Sequence, residues 1–323
     1  ADLVICGCLP RINPIKTRQI NSELIFGPRN PERLTEWLKS KGTLTINNSG
    51  TISFSQFSKL KKTIYRMKRV TAILPLIEHV GIVRRILNPL FIYDKDLYCL
   101  RIVTGCSGKC SYCAIRFAKG RAVSKPLDKI TAEFHSALNS GFRKFVLVGD
   151  EITAYGHDFG DSINVLDIID MIVDSGEVDK LYLESFEPSF MIAHFDRLKR
   201  ILHKGKIPVF CSSVQSGSNR ILQRMNRLYS AEDYVNCMRQ IKKDFPDIYL
   251  RSEIIAGFPG ETEDDFQDSL KLVKELEIDF LHVYAYEDRL GTQASRMPDK
   301  IPDGIKNYRR KKLIREHWKR LLL

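Results

Sequence analysis

From about residue 97 to residue 287 the chain alternates short, β-rich apolar runs with segments of helical period. The runs are "YCLRIVTG" (98 to 105), "KFVLVGDE" (144 to 151), "KLYLESF" (180 to 186), "IPVFCSSVQ" (207 to 215), "YLRSEIIAGF" (249 to 258) and "FLHVYAYE" (280 to 287). Between them Leu127, Ile130, Phe134 and Leu138, and later Phe266, Leu270 and Val273, recur at the three-and-four spacing of a helix face. Ser230 with Asp233 and Thr262 with Asp265 resemble capping boxes, with Asp where Glu or Gln is usual. Six strands alternating with helices call for a parallel sheet with right-handed crossovers, an α/β fold. Such units can curl into an open (β/α)6 barrel whose functional groups lie at the carboxyl ends of the strands. Those ends, "TGCSGKC", "VGDE", "ESFEP", "VQSGS", "GFPGE" and "YEDRLGT", are rich in Gly and polar residues.

Upstream, "DLVICGC" reads as a strand and "NPERLTEWLKS" (30 to 40) as a helix capped by Asn30 with Pro31 in its first turn. A small α/β unit is expected there, with "NNSGTISFSQ" as a loop because it has little period. The expected domains are 1–90, an N-terminal unit and linker; 91–304, the barrel; and 305–323, a basic helix. With 323 residues, 43% of them hydrophobic, the chain is long enough to bury a large core. It has no run of eighteen apolar residues and no signal-peptide pattern, so a cytoplasmic, non-membrane protein is expected. Residue 1 is Ala, which leads to the expectation that further sequence precedes it.

The net charge of +12 is concentrated at the ends. Residues 1–95 carry 16 Lys and Arg against 6 Asp and Glu, residues 96–304 carry 27 against 32, and residues 305–323 carry 8 against 1. "KLKKTIYRMKRV" (59 to 70) and "YRRKKLIREHWKR" (308 to 320) can meet a polyanion such as RNA, or can be the solvated faces of amphipathic helices.

Three of the eight cysteines, Cys106, Cys110 and Cys113, fall within "TGCSGKCSYC" after the first barrel strand. In a reducing compartment such a cluster points to metal or catalysis before disulfides. Zinc is one reading, with Cys99 as a fourth ligand, although Cys99 sits inside a strand and paired C-x2-C knuckles are absent. Simple packing is a second. The third is an iron–sulfur cluster held by three thiolates, whose remaining iron is open to a substrate. Cys99, Cys211 and Cys237 read as small core residues. His157 and His282 read as structural groups, His157 being the candidate exception because its loop follows the second strand.

Cys106, Cys110, Tyr112 and Cys113, as C-x3-C-x-aromatic-C after a barrel strand, resemble the signature of radical S-adenosylmethionine (radical SAM) enzymes. The resemblance implies a [4Fe–4S] cluster on the three cysteines, SAM on the open iron, and a 5′-deoxyadenosyl radical that removes hydrogen from an unactivated carbon. It further implies that Gly149, Asp150 and Glu151 meet the SAM amino group, that Ser185 neighbours the ribose, and that the "IIAGFPG" segment, with Ile255 and Gly257, lies beside adenine. Tyr112, Gln215 and Arg227 join the same cofactor-binding set.

Four longer stretches, "LVGDEITAYGHD" (147 to 158), "VQSGSNRILQRMNRLYSAEDY" (214 to 234), "EIIAGFPGETEDDFQDSL" (253 to 270) and "YEDRLGTQASRMPDKIP" (286 to 302), resemble the methylthiotransferases that act on transfer RNA or ribosomal protein. That family implies conversion of C–H to C–SCH3 on a tRNA base or a ribosomal protein or peptide side chain. One SAM acts as radical source and another as methyl donor, and a flavodoxin- or ferredoxin-type protein donates electrons. "VICGCLPR" is similar to the end of the family's cluster domain, where three cysteines hold a second [4Fe–4S] cluster. Cys8 matches the last of them, Cys6 is extra, and the other two are not matched, which leaves the N-terminal domain incomplete. Asp150 stands where Gly is common, and Tyr286 to Thr292 carries Glu287 and Asp288 where the family has Ser-Pro. The family's small β-rich RNA-binding domain is expected to be lacking after the barrel. Two rivals follow: a single-cluster radical SAM enzyme that modifies a peptide or small molecule without sulfur insertion, and a zinc-stabilised RNA-binding protein.

Overall fold

The computed structural model describes residues 96–160 and 162–322, with four short strands upstream. The chain divides into two units, Ala1–Asn88 with Phe117–Lys119, and Pro89–Arg116 with Gly120–Leu323. In the first, β1 (Val4–Cys6) pairs in parallel with β2 (Leu24–Phe26), and β3 (Leu44–Ile46) pairs antiparallel with β4 (Ile52–Phe54). The strand expected at "DLVICGC" is therefore present. Part of "NNSGTISFSQ", expected as a loop, is β4. This strand and its partner β3 are each only three residues long, too short for the pairing to show as a period in the sequence. The helix expected at 30–40, Cys8 and the basic run 59–70 lie outside the described residues.

Downstream the order is β5 (Leu97–Arg101), β6 (Val103–Thr104), α1 (Ile115–Lys119), β7 (Val123–Ser124), α2 (Leu127–Asn139), β8 (Lys144–Val148), α3 (Val165–Asp174), β9 (Lys180–Phe186), α4 (Pro188–Ala193), α5 (Phe195–Leu202), β10 (Val209–Ser212), α6 (Asn219–Arg224), α7 (Ala231–Asp244), β11 (Tyr249–Ala256), α8 (Glu263–Glu275), β12 (Phe280–Ala285) and α9 (Asp303–Leu322). One sheet holds β5, β8, β9, β10, β11 and β12 in that order, all neighbours parallel. β5 and β12 remain edges, so the sheet is an open six-stranded α/β array and does not close. The run 98 to 105 is two strands and not one: after Ile102 the backbone leaves the sheet and β6 pairs antiparallel with β7.

The helices cover one face of the sheet. α3 buries Val165, Leu166, Ile168, Ile169 and Ile172 completely, and α8 buries Phe266, Leu270 and Val273. Each such side chain contributes about 1.5–3 kcal/mol of transfer free energy. On α2, Ile130, Phe134 and Leu138 are buried as expected, but Leu127, the first residue of the helix, is 40% exposed because it lies beyond the sheet's cover. The Thr262 box is complete, and Asp265 also accepts from Ser218 and Arg220, tying α8 to α6. On the opposite, concave face Val146, Tyr182, Val209 and Tyr249 form a separate apolar floor.

α9 lies on β11, β12 and α8, and buries Arg309, Leu313, His317 and Leu321, one residue per turn. Much of its basic charge is used internally. Arg309 meets the buried Glu261 at 2.8 Å, Lys306 donates to the Tyr286 carbonyl at 3.1 Å, and Arg320 donates to the Ile278 carbonyl. Glu261 in turn accepts from the Gly257 amide at 2.8 Å, so the helix fixes the loop after β11. Among the described residues, no helix is long and apolar enough to cross a membrane.

His317 is 1% exposed and neither ring nitrogen makes a hydrogen bond. Burial, with Arg320 nearby, lowers its pKa to about 4. The folded state therefore holds it neutral while the unfolded chain takes up a proton below about pH 6.5. Its contribution is complete above that pH and is lost as pH falls towards about 4. Over that window the parent is expected to lose up to about 3 kcal/mol through this residue. His317→Leu should remove that component, as urea unfolding midpoints against pH will show.

Candidate active site

The loop between β6 and α1 presents the three thiols at the carboxyl end of the sheet. Gly105 enters it with φ +84°, and a Cβ there would strike the Arg121 carbonyl oxygen at 2.2 Å, so only glycine fits. The Gly105 amide donates to Asp150 at 2.8 Å, and the Cys106 amide to the Gly120 carbonyl at 3.3 Å. Four hydrogen bonds with distant segments fix the middle of the loop. The Ser111 amide and hydroxyl donate to the Met225 and Arg224 carbonyls, the Asn226 side chain donates to the Lys109 carbonyl at 2.8 Å, and the Ala294 amide donates to the Ser111 carbonyl at 2.7 Å.

Cys106, Cys110 and Cys113 are partly buried free thiols. Burial pushes Cys106 up to about 12 and raises Cys110 and Cys113, so metal binding has to displace protons. Backbone amides already point at two of the sulfurs, Gly108 at Cys106 (3.2 Å) and Ile115 at Cys113 (3.5 Å). Gly108 keeps space open: a Cβ there would lie 3.2 Å from Cys106 Sγ and 3.6 Å from Cys110 Sγ. Among the described residues no three His, Cys, Asp or Glu side chains stand as a ready metal-binding group. Each thiol turns on a single χ1 rotor, so what the loop provides is the donor set, the amides and the space.

Behind the loop, Tyr112 accepts a hydrogen bond from Arg227 at 2.7 Å, and Arg227 pairs with Glu187 at 3.1 Å. The Arg227 and Glu187 side chains are 11% and 18% exposed, so this is a largely buried pair. Glu187 also caps α4 by accepting from the Phe190 amide. Gly149 packs so closely on Val103 that a Cβ would lie 2.5 Å from it. The Glu151 carboxyl accepts from Thr153, and burial pushes it up to about 7.

Ser185 and Gln215 both adopt positive φ, 57° and 68°. Together with Asn226 and Asp299 they are the described non-glycine residues that do so. Such positions cost about 1–3 kcal/mol each and persist where the surroundings impose them. Gln215 is locked by bonds to the Glu253 carbonyl and from the Ile255 amide. Ser185 is exposed at the end of β9, and Gly257, with φ +75°, is buried against Lys306.

Tyr112, Gln215 and Ile255 come together on one cleft of about 460 Å³. Gly149, Asp150, Glu151, Ser185, Arg227 and Gly257 do not line it. Tyr286 and Arg289, in the expected functional end "YEDRLGT", also line it, whereas Glu253 on β11, Tyr284 on β12, and Asn307 and Arg310 beyond it were missed by sequence reasoning. A signal was available. Arg251 and Glu253 fall at alternate positions in "YLRSEIIA", and His282 and Tyr284 do so in "FLHVYA", marking one charged or polar face per strand. On that face Arg251 meets Glu184 at 2.8 Å, Glu253 accepts from Ser213 at 3.0 Å, and His282 lies 3.1 Å from the Tyr284 hydroxyl. Cys211 and Cys237 are buried as expected, but Cys99 is exposed, because its position on edge strand β5 faces the open concavity. His157 is exposed on a 3-10 turn.

The family model of the radical SAM superfamily matches residues 100–273. The tRNA-2-methylthio-N(6)-dimethylallyladenosine synthase of Clostridium tetani is 27% identical over 323 residues, covering 97% of this chain and 64% of that protein. The synthase of the same name from Caldicellulosiruptor saccharolyticus is 32% identical over 220 residues, covering 67% and 46%. The chain thus spans between about half and two thirds of the length of these relatives. Among solved structures, the radical S-adenosylmethionine methyltransferase TsrM from Kitasatospora setae superposes with a TM-score of 0.50 at 16% identity, over 62% of this chain and 38% of that one. The cobalamin-dependent S-adenosylmethionine radical enzyme OxsB gives 0.52 at 15% identity, over 99% and 43%. At these identities the structural likeness is one of fold.

Removing one partner of a buried pair leaves the other charge unsatisfied. Glu187→Ala is expected to cost the cluster-free protein about 4 kcal/mol, the α4 cap included. Tyr112→Phe, which removes one neutral acceptor, should cost about 1 kcal/mol. Urea unfolding of the two variants against the parent measures the difference.

Proposed function

The chain belongs to the radical SAM superfamily, whose members carry a [4Fe–4S] cluster and SAM, and from that premise we propose that it is a methylthiotransferase-type enzyme converting C–H to C–SCH3 on a tRNA base. The observation that carries this reading is the similarity, along 97% of the chain, to a protein named as a tRNA methylthio synthase. When bound, the cluster and SAM supply one-electron cleavage of a carbon–sulfur bond, and with it the means to activate a C–H bond of the substrate.

The residues present fit that group. Cys106, Cys110 and Cys113 hold the cluster, with the Gly108 and Ile115 amides donating to two of the sulfurs. Arg227 adds a buried positive charge beside Cys110 and holds Tyr112 against the loop. Gln215 and Ile255 present the cleft side of the cofactor site, and Gly149 allows the backbone after β8 to pack close to β6. Ile221, Met225, Phe258, Tyr286 and Ala294 pack with Tyr112 and Ile255 into an apolar cluster that keeps water from this end of the cleft. Gly149, Asp150, Glu151, Ser185 and Gly257 are assigned to SAM, with Asp150 also bracing Gly105. A flavodoxin- or ferredoxin-type protein supplies electrons. Cys8 is assigned to a second, sulfur-donating cluster. The superfamily match sets the zinc-protein reading aside.

Cys110→Ala, reconstituted anaerobically with reductant, is expected to lose 5′-deoxyadenosine formation; the parental rate in this variant would refute the ligand assignment. Iron and sulfide analysis of the parent separates the two enzyme readings, and two clusters per chain favour thiomethylation. One cluster, with no methylthio nucleoside in digests of treated tRNA, supports instead a single-cluster enzyme acting on a peptide or small molecule.

A further inference from the structure

The cleft has two unlike ends. At the buried end Gln215 and Tyr286 are 6% and 5% exposed, beside Tyr112 and Ile255. At the open end stand Tyr284, 47% exposed, and Arg289, Asn307 and Arg310. Nothing in the cofactor assignment uses the open end. Arg310, on the first half of α9, is the cation of this helix that lines the cleft. Lys306 and Arg309 are bound to Tyr286, Asp303 and Glu261, and Lys312 lies over the Phe266 and Tyr308 rings. By contrast, the Arg310 side chain lines the cleft. Arg289 is the second cation on the cleft, partly countered by Glu287 at 3.3 Å. Next to them, Tyr284 offers an exposed ring tethered by its hydroxyl to His282, and Glu253 offers a carboxylate already anchored by Ser213.

A planar guanidinium fits a phosphate bidentately, an exposed Tyr ring accepts a stacked base, and an anchored carboxylate accepts from an exocyclic base amine. An acidic peptide would use the cations but has no use for the ring, so the combination favours a nucleotide. Resting on the tRNA reading above, we propose that the open end of the cleft receives one unpaired nucleotide of the RNA substrate. Arg310, seconded by Arg289, holds its phosphate, and Tyr284 stacks on its base. This delivers the base towards the buried end, where Tyr112 marks the cluster loop. Apart from Tyr112, these residues lie on β11, β12, α9 and the connection between β12 and α9.

The test is binding of the whole reconstituted protein to a fluorescein-labelled RNA stem–loop with unpaired loop nucleotides across a salt series, with far-UV circular dichroism confirming the fold of each variant. Arg310→Gln is expected to weaken binding about tenfold and to lower the slope of log K against log salt by about one. Arg310→Lys should restore the slope but only part of the affinity, since an ammonium cannot make the forked contact. Tyr284→Ala should weaken binding about tenfold with the slope unchanged, as loss of stacking requires. Lys129→Gln, on α2 at the opposite edge of the sheet, controls for the loss of one positive charge and should stay within about twofold. If the parent binds the stem–loop and modifies tRNA but the Arg310 and Tyr284 variants bind with parental affinity and slope, the cleft assignment is overturned while the tRNA reading stands. If the parent does not bind the stem–loop, or an aspartate-rich peptide and not RNA responds to Arg310→Gln, both are overturned.

Discussion

Parallel strands can be joined only by crossovers that return the chain to the same end of the sheet. Everything that distinguishes this molecule follows from that constraint. With its six strands lying side by side in sequence order from β5 to β12, the chain delivers six carboxyl ends to one rim, and residues more than a hundred positions apart become neighbours there. The cysteine loop follows the first of these ends, and the segments that grip it follow later ones. Because the sheet stays open, both edge strands remain available, and the cleft forms beside the last of them.

The rim is held by a few specific bonds and not by bulk packing. Ser111 is bound to Arg224, Met225 and Ala294, and Lys109 to Asn226, so α6 and the segment before α9 together set the position of the cysteine loop. Arg227 continues the same segment inward to Tyr112 and Glu187. The positive φ of Asn226 turns the chain between these two duties, one side chain facing the loop and the next lying beneath it. Gln215 shows the same economy: a strained backbone, bonded on both sides to β11, places a polar side chain at the buried end of the cleft.

The charge pattern illustrates what composition conceals. Residues 305–323 carry eight basic side chains against one acid, which reads as a footprint for a polyanion. In the folded protein several of those charges are internal fasteners: Arg309 on Glu261, Lys306 on the Tyr286 carbonyl, Arg320 on the Ile278 carbonyl. The net charge of the helix thus says little about its outer surface, and the few cations left free acquire their meaning from what stands beside them.

By itself the sequence determined the α/β class, the six strands and their order, the helices at 127–139 and 263–275, and the three-cysteine loop with its glycines. These are local properties, set by the periods of strand and helix and by the steric needs of Gly105 and Gly108. The family resemblance, not local pattern, marked Tyr112, Gln215 and Ile255, which share the cleft, and Arg227, which donates to Tyr112. The sequence did not show that strand 98–105 breaks at Ile102, that Cys99 faces the open concavity, that Leu127 lies outside the core, or that Glu253, Tyr284 and Arg310 share a wall with Gln215. Each of those depends on which face of an element meets which neighbour, and at which edge of the sheet. Only the tertiary structure decided that, because burial and pairing between segments distant in the chain leave no period within any one of them.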